Sequence, residues 1–424
     1  MAHWFHRNPL KNTSKISFDQ YRSSSTTPAA SKLLGEMKES RAKLLNLVRN
    51  PESSLADVTT LMNEYAANAR GLVQGSAEGA GKESGPRYVV LYRWTNTMQG
   101  KKVSEQLDAQ FELYSMLFDV AVWHTKHAAH LASNPEISMN DAKEVHRTLR
   151  AAAGIFETLK DSELPKLHDT GDKGADTDTR ILDAYVMQCQ AEAQEITLAR
   201  AVELKHKNSL ISALSSETSK MFMMAGDHLS TLDQLQVGKW KKYSGIKEAF
   251  YKSYAYCYLG LSLLEEDKCG NAIRCLRESL KAFGIAEQLC REYATMKGPG
   301  SHARPQDHMF FRKLSPLVKG TLEKCEHENG FIYFQKVPDE VPELPMKATF
   351  GLASAEPYSM PPVNPEWTEE ALKSLKAAQD GAEKLNLQSG SKSAVAEDIT
   401  PIPEPNISSE PAPPPKTNSG CIVQ

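Results

Sequence analysis

The feature that most constrains this chain is a helical hydrophobic period that continues from about residue 29 to residue 329. Apolar residues recur there three and four positions apart, which is the spacing that places them on one face of an α-helix. Two clear runs are Leu107, Phe111, Tyr114, Leu117, Phe118 and Val122, and Ile181, Tyr185, Val186 and Cys189. Apolar residues make up 40% of the 424 residues, which is enough for a sizeable core. We therefore predict a mainly α fold.

Breakers interrupt this period and mark the expected helix ends. They stand at residues 50–51, 75–85, 134–135, 164–174, 207–208, 237–238 and 298–300. The segments between them are mostly longer than an average globular helix. This spacing indicates an elongated helical array.

Two smaller features add detail to the helical body. The segment from Tyr254 to Phe283 has the rhythm of one tetratricopeptide hairpin, with Gly270 expected in its turn and no strict repeat elsewhere. Residues 15–18 and 331–337 have strand-like composition, and Pro338 would end the second run. We expect a tetratricopeptide-like centre and short strands at the edges.

The composition changes after Val337, and this change sets the predicted domain limits. Prolines recur every few residues up to Pro365, which forbids helix and favours an extended strap lying over the helical body. Trp367 to Leu385 can form one short helix. From there to the end, Ser, Pro, Glu and Lys dominate, so the chain cannot bury enough surface to order itself. We predict one domain over 1–385 (body 1–330, strap 331–366, short helix 367–385) and a disordered tail over 386–424.

The tail ends in a motif with its own chemistry. Cys421 is followed by Ile422, Val423 and Gln424, which is the C-a-a-X form read for prenylation, and the final Gln predicts farnesyl. A chance tail cysteine is the alternative interpretation. The other six cysteines lie in helical patterns without metal-ligand or CxxC spacing, so we expect buried, reduced thiols.

Charge and motif content exclude several functions. The net charge of −3 provides no basic stripe for nucleic acid, and no stretch reaches the length of apolar residues that a membrane-spanning helix needs. We expect a cytoplasmic protein, no small-molecule substrate and no cofactor other than a covalent farnesyl group. An enzyme or a small-molecule binder on a helical scaffold remains the alternative, because catalytic residues can converge from distant positions.

Two patterns suggest a metal site and a phosphate-binding loop, but both have an ordinary structural interpretation. His124, His127 and His130 are three apart, but such a series rotates off one helix face, and we interpret them as ordinary helix-surface histidines rather than metal ligands. Residues 79–84 suggest a phosphate loop, yet the first Gly is misplaced and Glu83 stands where a hydroxyl is needed. We expect a loop between helices.

The best candidate for a working surface lies between residues 181 and 220. Its apolar residues could line a groove for another protein's amphipathic helix, recognised through anchors three and four positions apart. Plain core packing between two helices is the alternative, and spacing alone favours it. The candidate residues are Leu198, Leu210, Ile211 and Leu214.

A family resemblance shifts that balance. Taken together, residues 1–10, 91–100, 142–156 and 188–195 and the Cys421 motif closely resemble the BRO-domain family over essentially the whole chain. The Ala-Gln-Glu element within 188–195, with its flanking helices, is characteristic of such domains. A stand-alone domain that ends in C-a-a-X resembles the farnesylated members.

The resemblance implies a boomerang-shaped helical domain whose concave face binds C-terminal helices of ESCRT-III subunits of the charged multivesicular body protein type. The matching groove positions are Leu198, Leu210 and Leu214, and Thr197 stands where an aromatic residue stands in Alix-like members of the family. A second ESCRT-III site is implied on the strap at Phe350 and Leu352. The implied protein is a non-enzymatic adaptor, held at endosomal or nuclear membranes by its farnesyl group.

Overall fold

The structure is a computed structural model that describes residues 5–21, 26–74, 86–133, 137–301, 303–345 and 351–375. Its longer elements follow in chain order. They are α1 (Pro28–Val48), α2 (Leu55–Gln74), β1 (Tyr92–Thr95), β2 (Val103–Gln106), α3 (Ala109–Ala132), α4 (Met139–Thr158), α5 (Thr179–Glu203), α6 (Asn208–His228), α7 (Gln234–Glu265), α8 (Cys269–Thr295) and α9 (Met309–Glu328). The prediction of a mainly α protein is confirmed.

Short polar side chains determine where several of these helices begin. Ser138 and Asp141 form a capping box at the start of α4, in which each side chain bonds the other residue's backbone N–H. Asp108 and Asp233 cap α3 and α7. The break predicted at residues 237–238 is wrong, because the cap at Asp233 starts α7 earlier and the helix continues through both residues.

The helices pack in chain order, each against the next, from α3 to α9. Almost every residue of α3 is buried, so this helix lies at the centre of the first half of the array. The largest fully buried side chains include Trp94, Trp123 and Trp240, which lie on β1, α3 and α7. One hydrophobic cluster has members on every helix from α1 to α9, and a second, smaller cluster lies among α3, α4 and α5.

The sheet is small and does not lie where the sequence predicted strands. Strands β1 and β2 pair antiparallel, with Tyr92 opposite Gln106, and Thr13 adds one isolated bridge to Trp94. Residues 15–18 and 331–337 form no strand, so both predictions are wrong.

Asn329 explains why residues 331–337 do not form the predicted strand. Residues 329–333 continue α9 as a π-helical turn, and Phe334 then adopts a left-handed conformation with φ of 50°. The Asn329 side chain accepts a hydrogen bond from the Gln335 backbone N–H at 3.0 Å and donates one to the Gln335 carbonyl at 2.9 Å. These backbone groups are thus satisfied locally, without a neighbouring strand.

Helices α7 and α8 form the predicted tetratricopeptide-like hairpin, with one correction. Gly270 does not lie in the turn, which is formed by residues 266–268 with Asp267 in the left-handed region at φ of 58°. Gly270 instead lies in the first turn of α8, where a Cβ would collide with the carbonyl of Lys336. The small residue is needed for this close approach.

The strap predicted after Val337 runs over the helical body in the region that the structure describes. Its backbone bonds to α4, where the Glu356 N–H donates to the Arg150 carbonyl at 2.9 Å. Farther on, the Asn364 N–H donates to Ala67 on α2 at 3.1 Å. A helix begins at residue 369, and its described part ends at 375. The tail over 386–424 lies outside the described residues.

Candidate functional site

An open groove of about 700 Å³ lies between α4, α5 and α6. Met139, Ala142 and His146 line it from α4, and Thr197 and Ala201 line it from α5. Helix α6 adds Leu210 and Leu214, and the strap adds Gly351. The groove is therefore built from three helices and one extended segment.

The floor of the groove is apolar. Leu210 is partly buried, while Leu214, although it lines the groove, is only 2% exposed. Met139 is largely exposed at the start of α4. An amphipathic segment could bury its apolar side chains on this floor.

The rim of the groove carries more basic than acidic groups. Lys143, Arg200 and His206 contribute to it, and Glu203 pairs with Arg200 at 3.3 Å. Burial, followed by the nearby charge of Arg150, lowers the pKa of His146, so its imidazole is neutral at pH 7. The rim suits a partner with acidic residues beside its apolar face.

The side of α5 that faces away from the groove holds a buried network of charges. Arg7 forms an ion pair with Glu192 at 2.7 Å, and Tyr243 and Gln188 donate to the same carboxylate at 2.7 and 2.9 Å. The Phe5 ring lies 4.4 Å from the guanidinium carbon of Arg7. This network joins the first residues of the chain, α5 and α7.

A second buried pair extends this network along α5. Lys247 donates to Glu195 at 2.6 Å, and both side chains are almost fully buried. Burial raises the pKa of Glu195 to about 7 and lowers the pKa of Lys247. These contacts fix α5, the helix that supplies Thr197 and Ala201 to the groove.

The structure separates the residues that the sequence grouped as one site. Leu210, Leu214 and Thr197 line the groove. Leu198 and Ile211 are 1% and 2% exposed, belong to the hydrophobic core and do not line it. Each follows a groove residue by one position, which turns a helical side chain by about 100° onto another face. For these two residues the core-packing alternative describes the structure.

The strap and tail positions have a mixed outcome. Leu352 is 43% exposed on the strap. Phe350 and Cys421 lie outside the described residues. Partner binding at Phe350 and Leu352 and lipidation of Cys421 stay predictions.

The interpretation of the histidines on α3 needs correction. His124 and His127 are buried and are not surface residues. The His124 ring hydrogen-bonds the Val120 carbonyl at 2.8 Å, and the His127 ring hydrogen-bonds the Pro51 carbonyl at 2.7 Å. Burial lowers the pKa of His124 to about 4. Within the described ranges, no three His, Cys, Asp or Glu residues are placed to hold a metal ion. The loop at 79–84 lies outside those ranges.

Sequence reasoning missed the role of Gln194. Its side chain donates to the Gly351 carbonyl at 2.9 Å and accepts from the Ala353 N–H at 2.6 Å. Gln194 belongs to the Ala-Gln-Glu element, which was the only available signal. That element therefore connects α5 to the strap as well as to the buried network.

Comparisons with known proteins agree on one family. The model of the BRO1-like domain matches residues 22–380. The BRO1 domain-containing protein BROX of Homo sapiens is 49% identical over 372 residues, covering 88% of this chain and 90% of the relative. The protein of the same name from Danio rerio is 44% identical over 423 residues, covering all of both chains.

Solved structures share the fold. The chain described as an ALIX BRO1 CHMP4C complex superposes with a TM-score of 0.65 at 18% identity, covering 84% of this chain and 96% of that chain. A structure described as the basis for endosomal targeting by the Bro1 domain gives a TM-score of 0.61 at 21% identity, covering 88% and 98%. Among the described helices, none has the length and apolar content to cross a membrane.

Proposed function

Since this chain belongs to the BRO1-like domain family, we propose that it is a non-enzymatic adaptor that binds the C-terminal helix of an ESCRT-III subunit in the groove between α4, α5 and α6. The observation that carries the proposal is this open groove itself, which has a mainly apolar lining that includes Leu210 and Thr197. A structural neighbour contains CHMP4C, a subunit of this type, together with the same fold.

The chemistry of the groove supports a helical partner. A helix places apolar anchors three and four positions apart on one side, and such a row can fill a narrow apolar floor. The neighbouring positions of the helix then meet the rim, where Lys143 and Arg200 favour carboxylates. The expected partner is an amphipathic helix with acidic flanks.

Membrane attachment forms the second part of the proposal. The sequence Cys421 to Gln424 supports farnesylation of Cys421. A single lipid chain gives only marginal, reversible binding, so a second signal is needed. An ESCRT-III polymer on the membrane would supply it through a high effective concentration of binding sites. Endosomal and nuclear membranes are the proposed locations.

A small-molecule binder remains the second candidate. A volume of about 700 Å³ lies within the usual range of roughly 300–1,000 Å³ for such sites, and the floor is apolar. The adaptor is favoured because the groove is open on one side rather than enclosed, which suits a helix better than a ligand that must be surrounded.

A binding titration with a synthetic CHMP4C C-terminal peptide tests the proposal. We expect saturable binding that Leu210→Asp abolishes, because the new carboxylate would be desolvated against the apolar face of the peptide. The matched control is Leu235→Asp, since Leu235 is 86% exposed and does not line the groove. Equal affinity of the wild type and Leu210→Asp for the peptide would refute the assignment of the groove.

A further inference from the structure

The strap contributes Gly351 to the lining of the groove, beside residues of α5 and α6. Gly351 has φ of +80°, and a Cβ placed on it would lie 3.6 Å from both Leu214 Cδ2 and Thr197 Cγ2. At this distance an added Cβ would be in ordinary van der Waals contact, so a single methyl group would fill the gap between the strap and these two side chains. Leu214 is only 2% exposed although it lines the groove, and it belongs to the hydrophobic core as well.

Gln194 holds the strap at this place. Its buried amide donates a hydrogen bond to the Gly351 carbonyl and accepts one from the Ala353 N–H. The two bonded backbone groups lie on either side of Leu352. The adjacent residue on α5, Glu195, is fixed by Lys247. The hydrogen bonds from Gln194 therefore attach the strap to a rigid part of α5.

Helix α4 holds the next part of the strap. The Arg150 side chain donates to the Ser354 carbonyl at 2.7 Å, and the Arg150 carbonyl accepts from the Glu356 N–H. The segment from Gly351 to Glu356 is therefore bonded to both helices that flank the groove. Such a segment acts as a wall and not as a loose covering.

We propose that residues 351–353 are the wall that limits the size of partner side chains at this end of the groove, with Gln194 as its positioning residue and the narrow gap between Gly351 and Thr197 as the specificity determinant. This inference rests on the proposed function. A partner helix can place a small residue beside the wall, whereas a large one collides with the strap. Larger anchors are accepted farther from the strap, beside Leu210, which lies one helical turn before Leu214.

The wall can be tested first without a partner, in the full-length protein. Gln194→Met keeps the length of the side chain and removes both hydrogen bonds, and Thr197→Phe needs the space that Gly351 occupies. We expect hydrogen exchange in a peptide covering residues 351–358 to become at least about tenfold faster in both variants. In Gln194→Met the two lost hydrogen bonds together exceed the factor of ten in local opening, and in Thr197→Phe the larger ring displaces the strap. Thr197→Val is the matched control and should leave exchange unchanged.

Unchanged exchange in both Gln194→Met and Thr197→Phe would overturn the wall. Circular dichroism checks that the helices remain folded. If Gln194→Met does not fold, Thr197→Phe decides the result alone, because its side chain extends into the groove and not into the core.

The specificity claim needs a second measurement. Each small residue of the CHMP4C C-terminal peptide is enlarged to Leu in turn, and the affinity is measured with the wild type and with Gln194→Met. We expect one enlargement to weaken wild-type binding at least tenfold and to be tolerated by the variant. Equal tolerance in both proteins would overturn the inference. If the wild type binds no peptide at all, the proposed function fails, and the exchange measurement still decides whether the strap forms the wall.

Discussion

Lys247 on α7 donates a 2.6 Å hydrogen bond to Glu195 on α5, and both side chains are buried. On the surface of α1, Lys43 lies at the same distance of 2.6 Å from Glu39, and both of these side chains are largely exposed. The two pairs share geometry and differ in solvation. They therefore separate the effect of burial from that of distance.

We expect Lys247→Met to lower the free energy of unfolding by about 3–5 kcal/mol, because it leaves a buried carboxylate without its cation. Denaturant titration measures this change. Adding Glu195→Leu should recover much of the loss, since the double variant leaves no unpaired charge at this position. Lys43→Met is the control and should have little effect, because water solvates both partners. Equal losses in the two single variants would contradict the argument.

The pH dependence of stability should carry a contribution from Glu195. Burial raises its pKa from 4.5 to about 7 in the folded protein, so the folded state binds more protons than the unfolded state between these values. The free energy of unfolding therefore falls as pH rises from about 4.5 to about 7. Lys247, Glu192 and Tyr251 are the ionisable groups acting on this carboxyl.

Titrations of Glu195→Gln against the wild type test this sign. Between pH 4.5 and 7, the free energy of unfolding of the wild type should fall relative to that of Glu195→Gln. Parallel profiles across this range would mean that Glu195 does not titrate there.

Leu210 and Leu214 should respond differently to the same charge. Leu210→Asp is expected to keep the unfolding temperature near that of the wild type, because its side chain is only partly buried. Leu214→Asp should destabilise the domain strongly, since its carboxylate would be buried between α6 and the strap. Thermal unfolding followed by circular dichroism compares the two, and similar melting of both variants would be the contrary result.

The end of the strap should depend on Trp367. Its indole N–H donates to the Asn68 carbonyl at 2.9 Å, and its ring packs so closely on Gly71 that a Cβ there would collide with it. Trp367→Ala should cost about 3–5 kcal/mol and expose the segment after Asn364 to limited proteolysis. Glu366→Ala is the control, because its ion pair with Lys32 is exposed. Resistance of both variants to the protease would contradict this role.

Membrane residence should require Cys421 and the groove together. In cells, Cys421→Ser and Leu210→Asp are each expected to leave the protein largely cytosolic, because one lipid chain binds membranes only marginally. Gln424→Leu provides a matched control, since a terminal Leu favours geranylgeranyl and should keep the lipid signal. Full membrane binding of Leu210→Asp would show that the lipid suffices alone.

The sequence by itself determined the helical class and most helix limits. Periodicity and capping are local properties, so they can be read from neighbours such as Ser138 and Asp141 without knowledge of the fold. The family also followed from short motifs, and its model matches residues 22–380. The strand predictions failed because a strand needs a hydrogen-bonding partner elsewhere in the chain, which local composition does not show. Residues 331–333 instead continue the preceding helix.

Only the tertiary structure decided which side chains form the site. Spacing placed Leu198 and Leu210 in one group, yet the rotation of each helix in the array sends Leu198 into the core and leaves Leu210 at the groove. The pairing of Arg7 with Glu192, 185 positions apart, and the bond between Gln194 and Gly351, 157 apart, join segments that have no local relation. Helical periodicity predicts that one face of a helix is buried. Which element covers that face depends on packing between parts of the chain that are distant in sequence.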